Sequence, residues 1–128
     1  MTVKTWDLPL KAEWDRATEL RSLTFGREGL TLRMAEEDTE KEWRLHFSEI
    51  QAFKCTTEES ASSVLGSLPT RGAFYEVLDS TWLRELGLGK LDYMARAKHY
   101  IICCYDEVVE VVATDHAIEA VSADPNLG

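Results

Sequence analysis

The residues of this chain best suited to chemistry lie close together in the segment 99–114. His99 begins an apolar stretch, Cys103 and Cys104 follow it, and Glu110 comes after an acidic turn. In an extended strand, His99 and Cys103 are roughly 13 Å apart at about 3.3 Å per residue, too far for one tetrahedral zinc ion. Adjacent cysteines point to opposite faces of a strand, so they cannot grip one metal together. We therefore expect neither a metal nor a cofactor.

The signatures of common enzyme classes are missing from the sequence. Residues 87–90, Gly-Leu-Gly-Lys, are too short for a phosphate-binding loop and follow a predicted helix. The motifs G-x-S-x-G, H-E-x-x-H and C-x-x-C do not occur. An alternative remains, because histidine is the usual general acid–base residue. In it, the chain is a small enzyme or ligand-binding barrel that uses His99, Glu110 and Tyr105 on one face.

A β-hairpin is predicted to hold these residues, because β-branched and aromatic residues flank the polar pair Asp106-Glu107. We expect Tyr105 to pair with Val108, which puts Glu110 opposite Cys103, where its charge disfavours the thiolate. Side chains alternate between the two faces of a strand. The uncharged face is the predicted core and carries Tyr100, Ile102, Cys104, Val109, Val111 and Ala113. The other face is mixed, either partly solvated or covered by a loop, and carries His99, Ile101, Cys103, Tyr105, Val108, Glu110, Val112 and Thr114.

The rest of the chain reads mainly as further strands. Segment 58–72 is the longest predicted loop. We expect Asp79 or Ser80 to cap a short helix at 81–86, and Thr114 or Asp115 to cap a last one at 116–121. Residues 1–128 form one predicted domain of the α+β class, dominated by β-structure. It has about seven mostly antiparallel strands in a curled sheet, sandwich or partly open barrel, with two or three short helices. The other predicted strands lie within 5–15, 20–25, 30–35, 43–47, 50–57 and 73–78.

The net charge of −9 is unevenly distributed. Residues 36–60 hold eight acids and three bases, and residues 99–128 hold six acids and no lysine or arginine. This distribution argues against binding to nucleic acid or to an anionic membrane, and it permits a basic protein partner. A solvated surface that keeps the protein in solution is the simpler interpretation. The predicted partner-binding residues are Glu36, Glu37, Asp38, Glu40 and Glu42, with Asp106 and Glu107 as a second patch.

The cellular location is predicted from what the sequence lacks. The longest apolar run, 100–105, is far too short for a membrane span. Residues 1–10 lack the apolar segment of a signal peptide. With three cysteines and no export signal, we expect reduced thiols and a cytoplasmic protein.

Three phrases resemble small uncharacterised bacterial β-rich proteins of unknown function. They are WRLHFSEIQAFK, FYEVLDSTWLREL and HYIICCYDEVVEVVA, and the similarity covers roughly residues 43–113. The resemblance implies a fold and a likeness to immunity proteins of bacterial toxin systems, and it brings no catalytic motif. Our first hypothesis is therefore a non-enzymatic protein-binding protein, such as an immunity-type inhibitor of a basic partner. A third hypothesis is a homo-oligomer that buries the apolar part of the mixed face against its own copy.

Overall fold

A computed structural model describes residues 1–10, 18–37, 39–68, 73–87 and 96–121 of the chain. Within these ranges, nine strands form two antiparallel sheets, of order β1-β6-β7-β8-β5 and β2-β3-β4-β9. The strands are β1 (Val3–Thr5), β2 (Glu19–Gly26), β3 (Gly29–Ala35), β4 (Glu42–Phe47), β5 (Ile50–Thr57), β6 (Phe74–Val77), β7 (Lys98–Cys103), β8 (Glu107–Ala113) and β9 (His116–Ala120). The helices are α1 (Ser62–Leu65), which follows a 3₁₀ turn at Glu58–Ala61, and α2 (Thr81–Glu85).

The main core lies between the two sheets, because each sheet presents an apolar face to the other. The six residues predicted as the core face of the 99–114 hairpin are all buried there. The ring of Trp6 stacks on Tyr100 with centroids 4.2 Å apart and so closes the β1 side of this core. Burying one large apolar side chain contributes about 1.5–3 kcal/mol, so this layer is the main source of stability. The residues opposite the hairpin are Leu30, Leu32, Met34, Leu45 and Phe47.

The hairpin register differs from the prediction by two residues. Cys103 pairs with Val108, and Ile101 pairs with Glu110. The Cys104 N–H donates to the Glu107 carbonyl over 2.8 Å, so the connection is longer than the predicted two-residue turn. A shift of two residues leaves every side chain on its predicted face, since the side-chain period of a strand is two. The expectation that Glu110 lies opposite Cys103 is therefore wrong, while the assignment of faces is confirmed.

The mixed face of the hairpin is covered by the chain itself. The 3₁₀ turn and α1 lie over one part of it and form a second apolar cluster with Tyr75, Ile101 and Val108. Helix α2 lies over another part, next to β7. The apolar surface that suggested self-association is thus already buried. The exposed large side chain of this face is Tyr105, at the turn.

Other predicted elements also need correction. Residues 116–120 form β9 rather than a helix, because Ile118 pairs with Leu45 of β4. The predicted loop 58–72 contains the 3₁₀ turn and α1. The described strands number nine rather than about seven, and they form no closed barrel. No helix among the described residues is long and apolar enough to cross a membrane. Trp14 and the later part of the predicted opening strand lie outside the described residues.

We predict that Gly29→Ala strongly destabilises the β2–β3 hairpin. Gly29 has φ +114°, and an added Cβ would overlap the Phe47 carbonyl oxygen of the neighbouring strand. We expect a loss of about 2 kcal/mol or more in urea unfolding. Gly26, its partner across the same turn, has no atom within 4 Å of an added Cβ. Gly26→Ala should therefore change stability by less than about 0.5 kcal/mol. Equal effects of the two substitutions would contradict this turn geometry.

Candidate functional site

A chain of three buried polar side chains links α2 to the centre of the five-stranded sheet. Ser80 precedes α2, His99 lies on β7 and Glu110 lies on β8, and their exposed fractions are 6%, 4% and 6%. Ser80 Oγ is 2.7 Å from His99 Nδ1, and His99 Nε2 is 2.9 Å from Glu110 Oε1. We call this the Ser80–His99–Glu110 chain. Buried polar side chains need such partners, because burying them unpaired is costly.

The chemistry of the three groups determines which of them donates each hydrogen bond. The ionised Glu110 carboxylate only accepts, so the His99 Nε2–H donates to it. In the neutral imidazole, Nδ1 then carries a lone pair and accepts the Ser80 O–H. The Leu83 N–H donates to Ser80 Oγ over 3.0 Å, which confirms the predicted cap of the short helix. Each member is therefore satisfied in this single arrangement.

Lys54 and Trp82 complete the surroundings of the chain. Lys54 Nζ of β5 lies 3.5 Å from the second oxygen of Glu110 and 4.5 Å from the centre of the Trp82 ring. The Trp82 ring meets His99 edge-on, with centroids 5.2 Å apart. Burial by itself would raise the pKa of Glu110. The hydrogen bond from His99 and the charge of Lys54 outweigh it and hold that pKa below its ordinary value.

A second candidate site is an open groove of about 470 Å³ at the end of the sandwich where β2 begins. Six carboxylates and one guanidinium of the described residues line it, a formal charge of −5 for that part of the lining. Three chain segments meet there: the start of β2, the β3–β4 loop and the β7–β8 turn. We call it the acidic groove, and its lining residues are Glu19, Leu20, Arg21, Glu36, Glu37, Glu40, Tyr105, Asp106 and Glu107.

Backbone hydrogen bonds hold the three segments of the acidic groove together. The Tyr105 N–H donates to the Thr18 carbonyl over 2.8 Å, which ties the β7–β8 turn to the start of β2. The Glu40 N–H donates to the Glu36 carbonyl over 2.8 Å and closes the β3–β4 loop. Glu40 has φ 58°, so its backbone lies in the left-handed region that non-glycine residues seldom adopt. The groove is thus built from turns that the two sheets position.

The structure brings the two predicted acidic patches into one groove, although not every predicted residue is equally available. Glu37, Glu40 and Asp106 are exposed, and Glu107 is half-buried. Glu36 lines the groove but is buried. The remaining predicted residue with a described position, Glu42, does not line the groove. Asp38 lies outside the described residues.

Two of the acids serve the fold. The Glu36 carboxylate accepts hydrogen bonds of 2.9 Å from both Trp43 Nε1 and Thr39 Oγ1. Glu42 pairs with Arg33 over 2.7 Å, across neighbouring strands. Both carboxylates are therefore already compensated within the chain, which makes them poor choices for a partner-binding test.

Glu107 differs from Glu36 and Glu42, because its surroundings oppose its charge. Partial burial, together with the charges of Asp106 and Glu19, raises the pKa of the Glu107 carboxyl above its ordinary value. Its ionised form is thus opposed by its neighbours. A positive charge that entered the acidic groove would relieve this repulsion.

The remaining histidines and cysteines form no further cluster. The Thr31 hydroxyl lies 2.7 Å from His46 Nδ1, and His116 packs edge-on against Trp6. Among the described residues, no three His, Cys, Asp or Glu side chains are arranged to hold a metal ion. Cys103 and Cys104 are buried, whereas Cys55 is exposed on the edge strand β5. Burial raises the pKa of the Cys104 thiol well above its ordinary range.

Sequence reasoning missed Ser80 and Lys54 as members of the buried site. Ser80 was expected to do no more than cap α2, and Lys54 belonged to no predicted site. Their positions follow from pairings between distant segments, since Ser80 and His99 are 19 residues apart and Lys54 pairs with Glu110 across β5 and β8. The one available signal was that His99 and Glu110 share a face of the hairpin.

We predict that Glu110→Gln destabilises the protein in a pH-dependent way. The amide brings a donor to a place where His99 and Lys54 already donate, so we expect a loss of about 1–2 kcal/mol at pH 7. Glu110 has a lowered folded-state pKa, so its contribution is present above the ordinary value of 4.5. It is lost as the pH falls through the folded-state pKa.

Urea unfolding of both proteins between pH 7 and pH 3 measures this difference. The difference in the free energy of unfolding between wild type and Glu110→Gln should become smaller as the pH falls. Glu119→Gln is the control, because Glu119 forms an exposed ion pair with Arg44, and it should change stability by less than about 0.5 kcal/mol. If this difference in the free energy of unfolding stays constant with pH, the charge of Glu110 is not what stabilises the folded protein.

We predict that one thiol of the native protein reacts with an aromatic disulfide reagent at pH 8 and that all three react in urea. Cys55 is the exposed one, although partial burial and the charge of Glu107 raise its pKa and slow it relative to a free thiol. Cys55→Ser should abolish the native reaction without changing the fold. A native reaction that survives in Cys55→Ser would mean that Cys103 or Cys104 becomes exposed.

Comparison of the chain with models of protein families, with curated proteins and with solved structures found no match.

Proposed function

We propose that this chain is a protein-binding protein whose acidic groove takes a basic segment of a partner, as an immunity-type inhibitor of a basic protein would. The observation that carries the proposal is the meeting of acids from the β3–β4 loop and the β7–β8 turn in one groove. These two segments are more than sixty residues apart in sequence. A surface that served only to keep the protein in solution would not require them to meet.

The charge of the acidic groove suits a cationic partner. Among its described lining residues the one guanidinium, that of Arg21, lies 3.8 Å from Glu19, and the described lining keeps an excess of negative charge. Like charges in one groove repel one another, and the charges of Asp106 and Glu19 add to burial in raising the pKa of Glu107. Lysine and arginine side chains of a partner would remove the repulsion. They would also be steered to the groove at long range, which raises association rates in low salt.

Tyr105 adds an aromatic contact to this charge. Its side chain is 56% exposed at the rim of the acidic groove, which makes it one of the few large side chains with such exposure among the described residues. Cations pack favourably over aromatic rings. The chain already uses this contact twice, with Lys41 over Trp43 at 4.6 Å and Lys54 over Trp82 at 4.5 Å. A partner's lysine or arginine over Tyr105 would repeat that geometry.

A second described groove provides an internal contrast. It has a volume of about 590 Å³ and lies where β2 ends, with Arg27, Arg96 and Glu49 as its charged residues. Its charge does not favour a basic ligand. A basic probe that recognised the protein through charge should therefore distinguish the two grooves.

We predict that a short lysine- and arginine-rich peptide binds the acidic groove. In a ¹⁵N-labelled titration, the amide shifts of Arg21, Glu37 and Asp106 should move, and those of Arg27 and Gln51 in the second groove should not. Affinity should fall steeply as salt is raised, because salt screens exposed charges. The double variant Glu37→Lys/Asp106→Lys should bind about tenfold more weakly or worse, a factor that corresponds to about 1.4 kcal/mol.

The control has the same change in net charge at other sites. Glu28, in the β2–β3 turn, and Glu85, on α2, are exposed acids outside the acidic groove. Glu28→Lys/Glu85→Lys should bind the peptide within about twofold of wild type, since binding depends on local rather than net charge. If the two double variants weaken binding equally, the acids are only a solubilising surface and the proposal fails.

A further inference from the structure

We propose that Ser80 is an activated nucleophile and that the Ser80–His99–Glu110 chain is a hydrolytic site for small carboxylic esters. This activity goes beyond partner binding and does not depend on the acidic groove. The groove is lined by none of the three residues. Failure of one proposal therefore leaves the other standing.

The geometry provides what a serine nucleophile requires. A hydroxyl needs a base that takes its proton, and the lone pair of His99 Nδ1 faces Ser80 Oγ at 2.7 Å. The base needs a partner that fixes its tautomer, and Glu110 does this through Nε2–H at 2.9 Å. Lys54 keeps Glu110 ionised from the other side. His99 is thus held as a base that faces the hydroxyl.

The chain contains a natural comparison for this arrangement. Thr31 and His46 also place a hydroxyl 2.7 Å from an imidazole Nδ1. In the described part of the chain, however, no carboxylate contacts His46, and the pair is only half-buried. A hydroxyl–imidazole contact used only to join two strands has no need of a third member. At Ser80 the third member is present, and so is a buried setting in which electrostatic interactions are stronger.

Access to Ser80 limits the substrate to a small one. Ser80 keeps only 6% of its surface exposed, between the exposed residues Asp79 and Thr81. The half-buried Trp82 ring flanks His99 at 5.2 Å. A hydroxyl with so little exposed surface could be reached only by a small substrate, which is why the proposal names esters of short acyl groups.

The reaction balances with water as the only co-reactant. Ser80 Oγ bonds to the ester carbonyl carbon as its proton passes to His99 Nδ1. The tetrahedral intermediate then breaks the bond to the leaving alcohol, which takes that proton. Water next attacks the acyl-serine and gives a proton to Nδ1. That proton returns to Ser80 Oγ as the carboxylic acid leaves. Glu110 is a positioning residue that touches only the imidazole.

An alkyl fluorophosphonate tests the nucleophile directly, because an activated serine displaces its fluoride and forms an O–P bond while His99 takes the proton. Native wild-type protein should carry one phosphonyl group, found on Ser80 by peptide mass spectrometry. The exposed residues Ser22, Ser60 and Ser63 should stay unmodified, as should Thr31, and the protein in urea should not react. A native protein without label on Ser80, or with equal label on the exposed serines, overturns the proposal.

Substitutions distinguish activation of the Ser80 hydroxyl from a purely structural role of the Ser80–His99–Glu110 chain. Ser80→Ala should lose the label and the hydrolysis of p-nitrophenyl acetate above background. Glu110→Gln should slow labelling by about a hundredfold or more while circular dichroism stays unchanged. The charged groups that face His99 are Glu110 of β8 and, behind it, Lys54 of β5. Removing the carboxylate leaves the His99 Nε2–H without the acceptor that holds the imidazole, so Glu110→Asp, which keeps a carboxylate, should restore part of the labelling rate.

The control variant is His46→Gln, which removes the other hydroxyl–imidazole contact and should label Ser80 at the wild-type rate. If Glu110→Gln labels as fast as wild type, the Ser80–His99–Glu110 chain only anchors α2, and the proposal is overturned.

Discussion

The need to compensate one buried carboxylate organises much of this structure. Glu110 lies in the middle of β8, a strand paired on both sides and covered on both faces. A charge in such a place is tolerated only with close partners, because desolvation opposes it. The partners come from three other elements: His99 from β7, Lys54 from β5 and, through His99, Ser80 at the start of α2. Through His99, Glu110 is thus connected to the start of α2.

The hairpin shows which features of the fold could be predicted from sequence and which could not. Its two faces were predictable, because strand periodicity survives a register error of two residues. Its register was not, since the turn has no Asn-Gly or similar signal and a longer connection fits the same pattern. Residues 116–120 were predicted as a helix because local sequence favours a cap there. In the structure these residues pair with β4 instead, and this pairing overrides the local preference. The sequence of a short segment carries little signal for such long-range pairing.

For the two candidate sites as well, the sequence predicted some features and not others. The charge distribution was enough to predict acidic residues of 36–42 and 106–107 as partner-binding residues. Only the structure shows that the hydrogen bond from Tyr105 to Thr18 brings the β7–β8 turn to the acidic groove. Sequence also could not tell which acids were already compensated, as Glu36 and Glu42 are. Likewise, His99 and Glu110 were assigned to one face, whereas their connection to Ser80 requires the packing of α2. The local sequence pattern thus identifies candidate residues, whereas tertiary contacts determine what each of them does.

Two carboxylates on β8 have opposite effects on the stability of the fold. Glu110 has a lowered pKa, so its ionisation stabilises the folded chain, whereas Glu107, three residues earlier, has a raised pKa, so its ionisation opposes folding. One strand thus carries Glu110, whose charge is compensated by His99 and Lys54, and Glu107, whose charge is opposed by burial and by the charges of Asp106 and Glu19. A repulsive cluster that folding does not need is stable only because the sheets beneath it supply the free energy. A positively charged partner would relieve the repulsion, which is why we propose binding at the turn end of β8 and, separately, proton chemistry at its buried centre.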